Sequence, residues 1–137
     1  MALRVAFCVA ALLAVSPALA DDFIQGVYLK SEELCAQAKR DGIENVADGG
    51  NTVLSARGID SVEYNCEFVQ ISRATLSPAW AVTAICSEPG YIFPDVLSIT
   101  QLSPTQIDLV SVRPVGDGGE ESGNSGSYVL CEGVALP

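Results

Sequence analysis

The chain has 137 residues, with 17 Asp or Glu against 7 Lys or Arg, five Cys and no His. Without an imidazole there is no Ser-His-Asp or Cys-His catalysis, no His-ligated metal and no histidine pH switch. The length is that of one domain, large enough to bury a core of its own.

Residues 1–20 read as a secretory leader. Met1 to Arg4 is a short basic start, Val5 to Val15 an apolar run, and Ser16-Pro17-Ala18-Leu19-Ala20 an A-x-A cleavage site. The run is too short to cross a hydrocarbon core of roughly 30 Å, so no membrane span is expected. Cys8 leaves with the leader, and residues 21–137 are expected to form a single disulfide-bonded β-rich domain in the periplasm or outside the cell. That part carries six Lys or Arg against 17 Asp or Glu, a net charge of −11. Such a charge keeps a secreted domain soluble. It also repels nucleic acid and anionic lipid and draws cationic partners, at a rate that falls with salt.

Phe23 to Leu29 is apolar and rich in strand formers. Ser31 then offers an N-cap, Glu32 and Glu33 occupy the first turn and Gly42 supplies a stop, which predicts a helix over 32–41. Leu34 and Ala38 share one face of it, with Cys35 beside them, and that face should dock on a sheet. Asp41 to Asn51, with three Gly, reads as a loop. Val53 to Ile59 reads as one short strand. Next, Val62, Tyr64, Cys66 and Phe68 alternate with Glu63, Asn65 and Glu67, as in a strand with one wet face. The phase slips at Val69 and Ile71, which indicates a bulge or burial on both faces.

Trp80 to Cys86 is the next strand, closed by Ser87-Glu88-Pro89-Gly90. Val96 to Leu102 and Thr105 to Arg113 flank Ser103-Pro104, and a tight turn there sets Ile99 opposite Val110 and Leu97 opposite Val112. Residues 116–126 form an acidic, Gly-rich loop before a last strand, Ser127 to Glu132. The expected fold is therefore mainly β: a small antiparallel barrel or sandwich of six to seven strands, one short N-terminal α-helix and two disulfides.

Four cysteines remain after the leader, Cys35, Cys66, Cys86 and Cys131, in a chain bound for an oxidising compartment. No spacing is C-x-x-C, so disulfides are expected in place of metal, and no cofactor is expected. If the hairpin is centred on Ala74-Thr75-Leu76-Ser77-Pro78-Ala79, Cys66 lies opposite Cys86. Cys35 is then left for Cys131. A bulge in either strand breaks that symmetry, so Cys35 with Cys66 and Cys86 with Cys131 stays open.

Few residues suggest chemistry. Asp117, Glu120 and Glu121 match neither an EF-hand nor a Gly-Asp nonapeptide site. A Gly-rich loop is also a poor frame for the rigid carboxylate pair of a glycosidase. There is no phosphate loop, nucleotide fingerprint or nucleophile elbow, so a non-enzymatic role is expected. Tyr64 and Trp80 are read as core, whereas Tyr91-Ile92-Phe93-Pro94, after a Pro-Gly turn, is the aromatic group expected to face a partner.

Tyr64-Asn65-Cys66 resembles the Tyr-x-Cys of the periplasmic lysozyme inhibitors of the MliC and PliC type. Ser125-Gly126-Ser127-Tyr128 is similar, one residue shorter, to the Ser-Gly-x-x-Tyr loop that such inhibitors insert into the lysozyme cleft. The resemblance implies a small envelope β-barrel that binds a basic protein such as lysozyme, with Ser125 and Tyr128 in the cleft and Asp117, Glu120 and Glu121 on its basic rim. The other reading of Tyr128 is core packing beside Cys131. An envelope domain with a structural or small-ligand role, and an apolar pocket inside the barrel, is the alternative function.

Overall fold

Local chemistry sets the first helix. Ser31, in extended conformation, accepts a hydrogen bond from the Leu34 amide at 3.3 Å, and Glu32 and Glu33 lie in the first turn with Lys39 and Arg40 in the last. All three features favour a helix start and end here. Helix α1 spans Glu32–Asp41, as its sequence predicts. Cys35 and Ala38 form its buried face.

The computed structural model describes residues 22–113 and 123–137. Residues 1–20, which the sequence reads as a leader, and the acidic residues Asp117, Glu120 and Glu121 lie outside the described residues. Eight strands, each hydrogen-bonded to its neighbours in sequence, close into an antiparallel barrel. They are β1 Val27–Leu29, β2 Val53–Ser55, β3 Gly58–Ser61, β4 Tyr64–Arg73, β5 Ala79–Glu88, β6 Tyr91–Ser103, β7 Gln106–Ser111 and β8 Gly126–Leu130. Pairing of β1 with β8, Tyr28 opposite Leu130, completes the ring. The architecture is thus a barrel and not a sandwich, with eight strands in place of six or seven.

Three local expectations are corrected. The segment Asp41 to Asn51 is not all loop: Ile43–Asp48 forms a second helix, α2, whose Ile43 and Val46 are buried. The stretch Val53 to Ile59 is two strands, because the chain turns back at Ala56 and Arg57. In β6 and β7, Ile99 faces Leu109 and Leu97 faces Ser111, since the register shifts between Gln101 and Ser103. The turn itself falls one residue later than expected, at Pro104-Thr105, with Ser103 paired to Gln106. The slip beside it moves every pair by one residue and turns Val110 and Val112 outward.

Two apolar layers result. Inside the barrel lie Tyr28, Leu54, Ile59, Val82, Leu97, Ile99, Ile107, Leu109 and Tyr128, with Phe23, Ile24 and Trp80 among those completing the cluster. Eight-stranded barrels are just wide enough for side chains to fill them, so the lumen is core. Outside, Val27 and Leu29 point the other way from Tyr28 and meet Cys35, Ala38, Ile43, Val46, Val53 and Cys131. Strand β1 is buried on both faces because α1 and α2 cover it.

Both disulfides join as the hairpin-centred reading predicts. Cys66–Cys86 spans β4 and β5 within the lumen, and Cys35–Cys131 ties α1 to the end of β8, with Cα atoms 5.2 Å apart. The pairing left open, Cys35 with Cys66, does not occur.

Candidate functional site at one barrel mouth

In an up-and-down barrel alternate connections share one end. The connections 30–52, 62–63 and 89–90 share one mouth with Arg113, just after β7, and Gly123, just before β8, the described residues on either side of Asp117, Glu120 and Glu121. The candidate residues Tyr91, Phe93 and Ser125 converge there. Tyr128 lies one step inside.

Tyr91 is 58 % exposed and stacks on Phe93, with ring centroids 5.4 Å apart and planes at 26°. Phe93 itself is buried. The Arg113 guanidinium lies 3.7 Å from the centre of the Phe93 ring, and Arg113 Nη1 is 3.8 Å from Glu88 Oε1. A cation over an aromatic face is held by the ring quadrupole. The exposed part of the expected aromatic patch is thus Tyr91, backed by a Phe93 that a partner cannot reach. Ile92 and Pro94 point to the outer wall.

The other two candidates serve the fold. Ser125 is half-buried, and its hydroxyl accepts a hydrogen bond from the Ser111 amide at 3.0 Å. Tyr128 is fully buried, and its hydroxyl donates to the Asn124 carbonyl at 2.7 Å. Of the two readings of Tyr128, core packing is the one observed. Burial pushes its hydroxyl pKa strongly up, partly offset by a hydrogen bond with the Thr52 side chain.

Sequence reasoning missed four contributors. Lys30 donates to the carbonyls of Gly123 at 2.7 Å and Ser125 at 3.2 Å and sits 5.6 Å from the centre of the Tyr128 ring, which pins the chain after the acidic segment. Asn124 is buried, and its amide donates to the Tyr64 hydroxyl at 2.5 Å and lies 3.7 Å from Cys66 Sγ. Asp95 is only 4 % exposed, and accepts the Ser111 hydroxyl at 2.9 and 2.7 Å and the Val96 amide at 2.8 Å. Arg113 is the fourth. Lys30 and Arg113 had a signal in their rarity, being two of only seven basic residues in the chain. Asn124 and Asp95 had none.

Burial raises the Tyr64 pKa, opposed by the Asn124 hydrogen bond and raised further by the nearby Asp95 charge. Both tyrosines stay protonated at neutral pH; the Tyr128 hydroxyl donates to the Asn124 carbonyl and the Tyr64 hydroxyl accepts from the Asn124 amide. The Asp95 carboxylate accepts from two donors, the Ser111 hydroxyl shared between both its oxygens and the Val96 amide, which suits a structural role, since a buried carboxylate must be satisfied. Among the described residues, those that face solvent at the mouth include Tyr91, Glu88, Arg113, Lys30 and the hairpin Val62-Glu63, a set suited to recognition. Among the described residues, no cluster of three or more His, Cys, Asp or Glu is placed to hold a metal, and no helix is long and apolar enough to cross a membrane.

The opposite mouth holds a cavity of about 320 Å³ lined by residues that include Phe23, Tyr28, Trp80, Gln101 and Leu130. Phe23 packs edge-on against Trp80 at 5.6 Å. The buried Trp80 Nε1 has no hydrogen-bond partner among the described residues. Asp22 and Arg73 form an ion pair there.

Comparison with family models, with curated proteins and with solved structures finds no match to this chain.

Proposed function

We propose that the protein is a secreted or periplasmic, non-catalytic binding module whose partner is a basic protein, and that it acts as an inhibitor of a cationic hydrolase such as lysozyme. The observation that carries this reading is the convergence at one mouth of an exposed Tyr91 with Arg113 and Gly123, the described residues that bracket Asp117, Glu120 and Glu121. A Tyr on a rigid backing is an efficient anchor. Three carboxylates in a segment rooted beside it would steer a cationic surface toward that mouth. The reading moves the contact residues suggested by the resemblance: Tyr91, Asp117, Glu120 and Glu121 make the contact, while Ser125 and Tyr128 bond to Ser111 and Asn124 and serve the fold.

A binding titration against c-type lysozyme, at low and physiological salt with lysis followed in parallel, tests it. Inhibition that weakens with salt and is lost in Tyr91→Ala or in Asp117→Asn/Glu120→Gln/Glu121→Gln supports the reading. Absence of binding at low salt removes it.

The cavity at the opposite mouth favours a second reading, a small-ligand module of the envelope. In that reading the mouth takes a small ligand beside Phe23, Tyr28, Trp80 and Gln101. Trp80 is the only Trp in the chain, so a ligand there would change the protein's indole fluorescence.

A further inference from the structure

The mouth opposite Tyr91 is filled by chain that belongs to no strand. Residues 22–26 precede β1, and Phe23 and Ile24 of that segment are buried in the lumen cluster. Phe23 packs edge-on against Trp80 at 5.6 Å and against Phe68 at 6.1 Å. Among the described residues, no backbone hydrogen bond ties 22–26 to the barrel. The Gln25 amide donates to the Phe23 carbonyl within the segment, and Asp22 pairs with Arg73 of β4 through side chains that are both more than half exposed. An exposed ion pair of this kind holds a chain weakly. From Val27 onward the chain is held firmly, because β1 is hydrogen-bonded to β2 on one edge and to β8 on the other. The boundary falls at Gly26, whose φ is +92°.

Two features beneath the segment weaken its seat. The cavity of about 320 Å³ is lined by Phe23, Ile24 and Gln25 on the segment and by Tyr28, Trp80 and Gln101 on the wall. Segment and wall are therefore not close-packed there, and the facing side chains forgo dispersion contacts that a filled core would supply. Trp80 Nε1 is buried with no hydrogen-bond partner among the described residues. An orphaned buried donor destabilises the state that buries it, and water reaching it removes that cost.

We propose that residues 22–25 are a displaceable plug, hinged at Gly26, that opens this mouth while the barrel stays folded. Opening breaks no ladder hydrogen bond. It withdraws Phe23 and Ile24 from their seats and admits solvent to Trp80 and the cavity. Burial of two apolar side chains keeps the closed state dominant. The open state is a minor one, drawn from the least stable part of the fold, of the kind that exposes a cryptic pocket. The inference concerns the plug itself and stands whether or not a small ligand uses the mouth.

Native-state hydrogen exchange of the oxidised protein, followed by NMR, tests it. Trp80 is the only Trp in the chain, so a single indole N–H signal reports on the mouth. That proton should exchange faster than the backbone amides of β5, and at a rate nearly independent of low urea, because a local opening exposes little surface. Ile24→Val, in the plug, should speed indole exchange about two- to tenfold. Ile59→Val makes the same chemical change in the barrel wall and should leave indole exchange unaltered while speeding the β5 amides about two- to tenfold. Both substitutions are mild enough to leave the fold intact. An indole proton that follows the β5 amides in urea overturns the proposal, since Trp80 is then reached only by global unfolding. Indole exchange that responds to Ile59→Val as it does to Ile24→Val, or that ignores Ile24→Val, overturns it as well.

Discussion

Cys66 stands directly opposite Cys86 because Val69 bulges out of β4 between that pair and the hairpin turn. On the turn side Gln70 faces Thr83 and Arg73 faces Trp80; beyond the bulge Phe68 faces Ala84 and Cys66 faces Cys86. Carrying the turn-side register on without the extra residue would set Cys66 against Ser87 and Cys86 against Glu67, whose side chain points outward. A bulge, which threatens this pairing when the hairpin is centred on Leu76, is what makes it.

The two disulfides should differ in worth. Cys66 and Cys86 are 20 residues apart and Cys35 and Cys131 are 96 apart. The chain-entropy model assigns about 3 kcal/mol to the shorter loop and about 4 to 5 kcal/mol to the longer. Urea unfolding of Cys66→Ser/Cys86→Ser and of Cys35→Ser/Cys131→Ser is expected to show the larger loss in the second pair. The reverse order would mean that packing of the lumen, and not loop closure, governs both.

Gly58 should tolerate no side chain. Its φ of +153° and a Cβ position only 1.9 Å from the Cys66 carbonyl oxygen place β3 hard against β4. Gly58→Ala must part the two strands. A loss of roughly 3 kcal/mol or more is expected, in the upper range for one substitution. An unchanged urea midpoint would refute this account of how β3 packs.

Alkaline pH should loosen the loop mouth. Burial raises the Tyr64 and Tyr128 hydroxyls above the ordinary tyrosine value, so the unfolded chain releases these protons first as pH rises. The stability they contribute is whole below about pH 10 and is lost progressively above it. Tyr128→Phe is expected to cost about 1 kcal/mol at neutral pH through the lost bond to the Asn124 carbonyl, and to flatten the alkaline fall. Urea midpoints measured from neutral pH to about pH 11 report both effects. An alkaline fall as steep in the variant as in the wild type would exclude Tyr128 as a source.

The candidate site was legible only in part. Tyr91 follows a Pro-Gly turn, and its exposure can be read from that position. Phe93, two residues on, shares its face of β6 but lies deeper in the mouth, and the difference depends on Arg113 arriving from β7 to cover it. Tyr128 looked available within a run of Ser and Gly, yet its partners Asn124 and Lys30 hold it in the lumen. Nothing local marks Asn124 as the link to Tyr64, 60 residues away.

By itself the sequence determined α1 and the alternation of Cys66 with Asn65 and Glu67 in β4, and it offered Cys66 opposite Cys86 in a hairpin as one of two open pairings. These rest on interactions of short range: a cap reaching three residues, a pleat of period two, a hairpin closing a few residues. Tertiary structure alone decided that Ile43–Asp48 is helical, that the Leu102 slip turns Val110 and Val112 to solvent, and that β1 and β8 close the ring. Each depends on burial against residues far along the chain, and that free energy exists only once the barrel is formed.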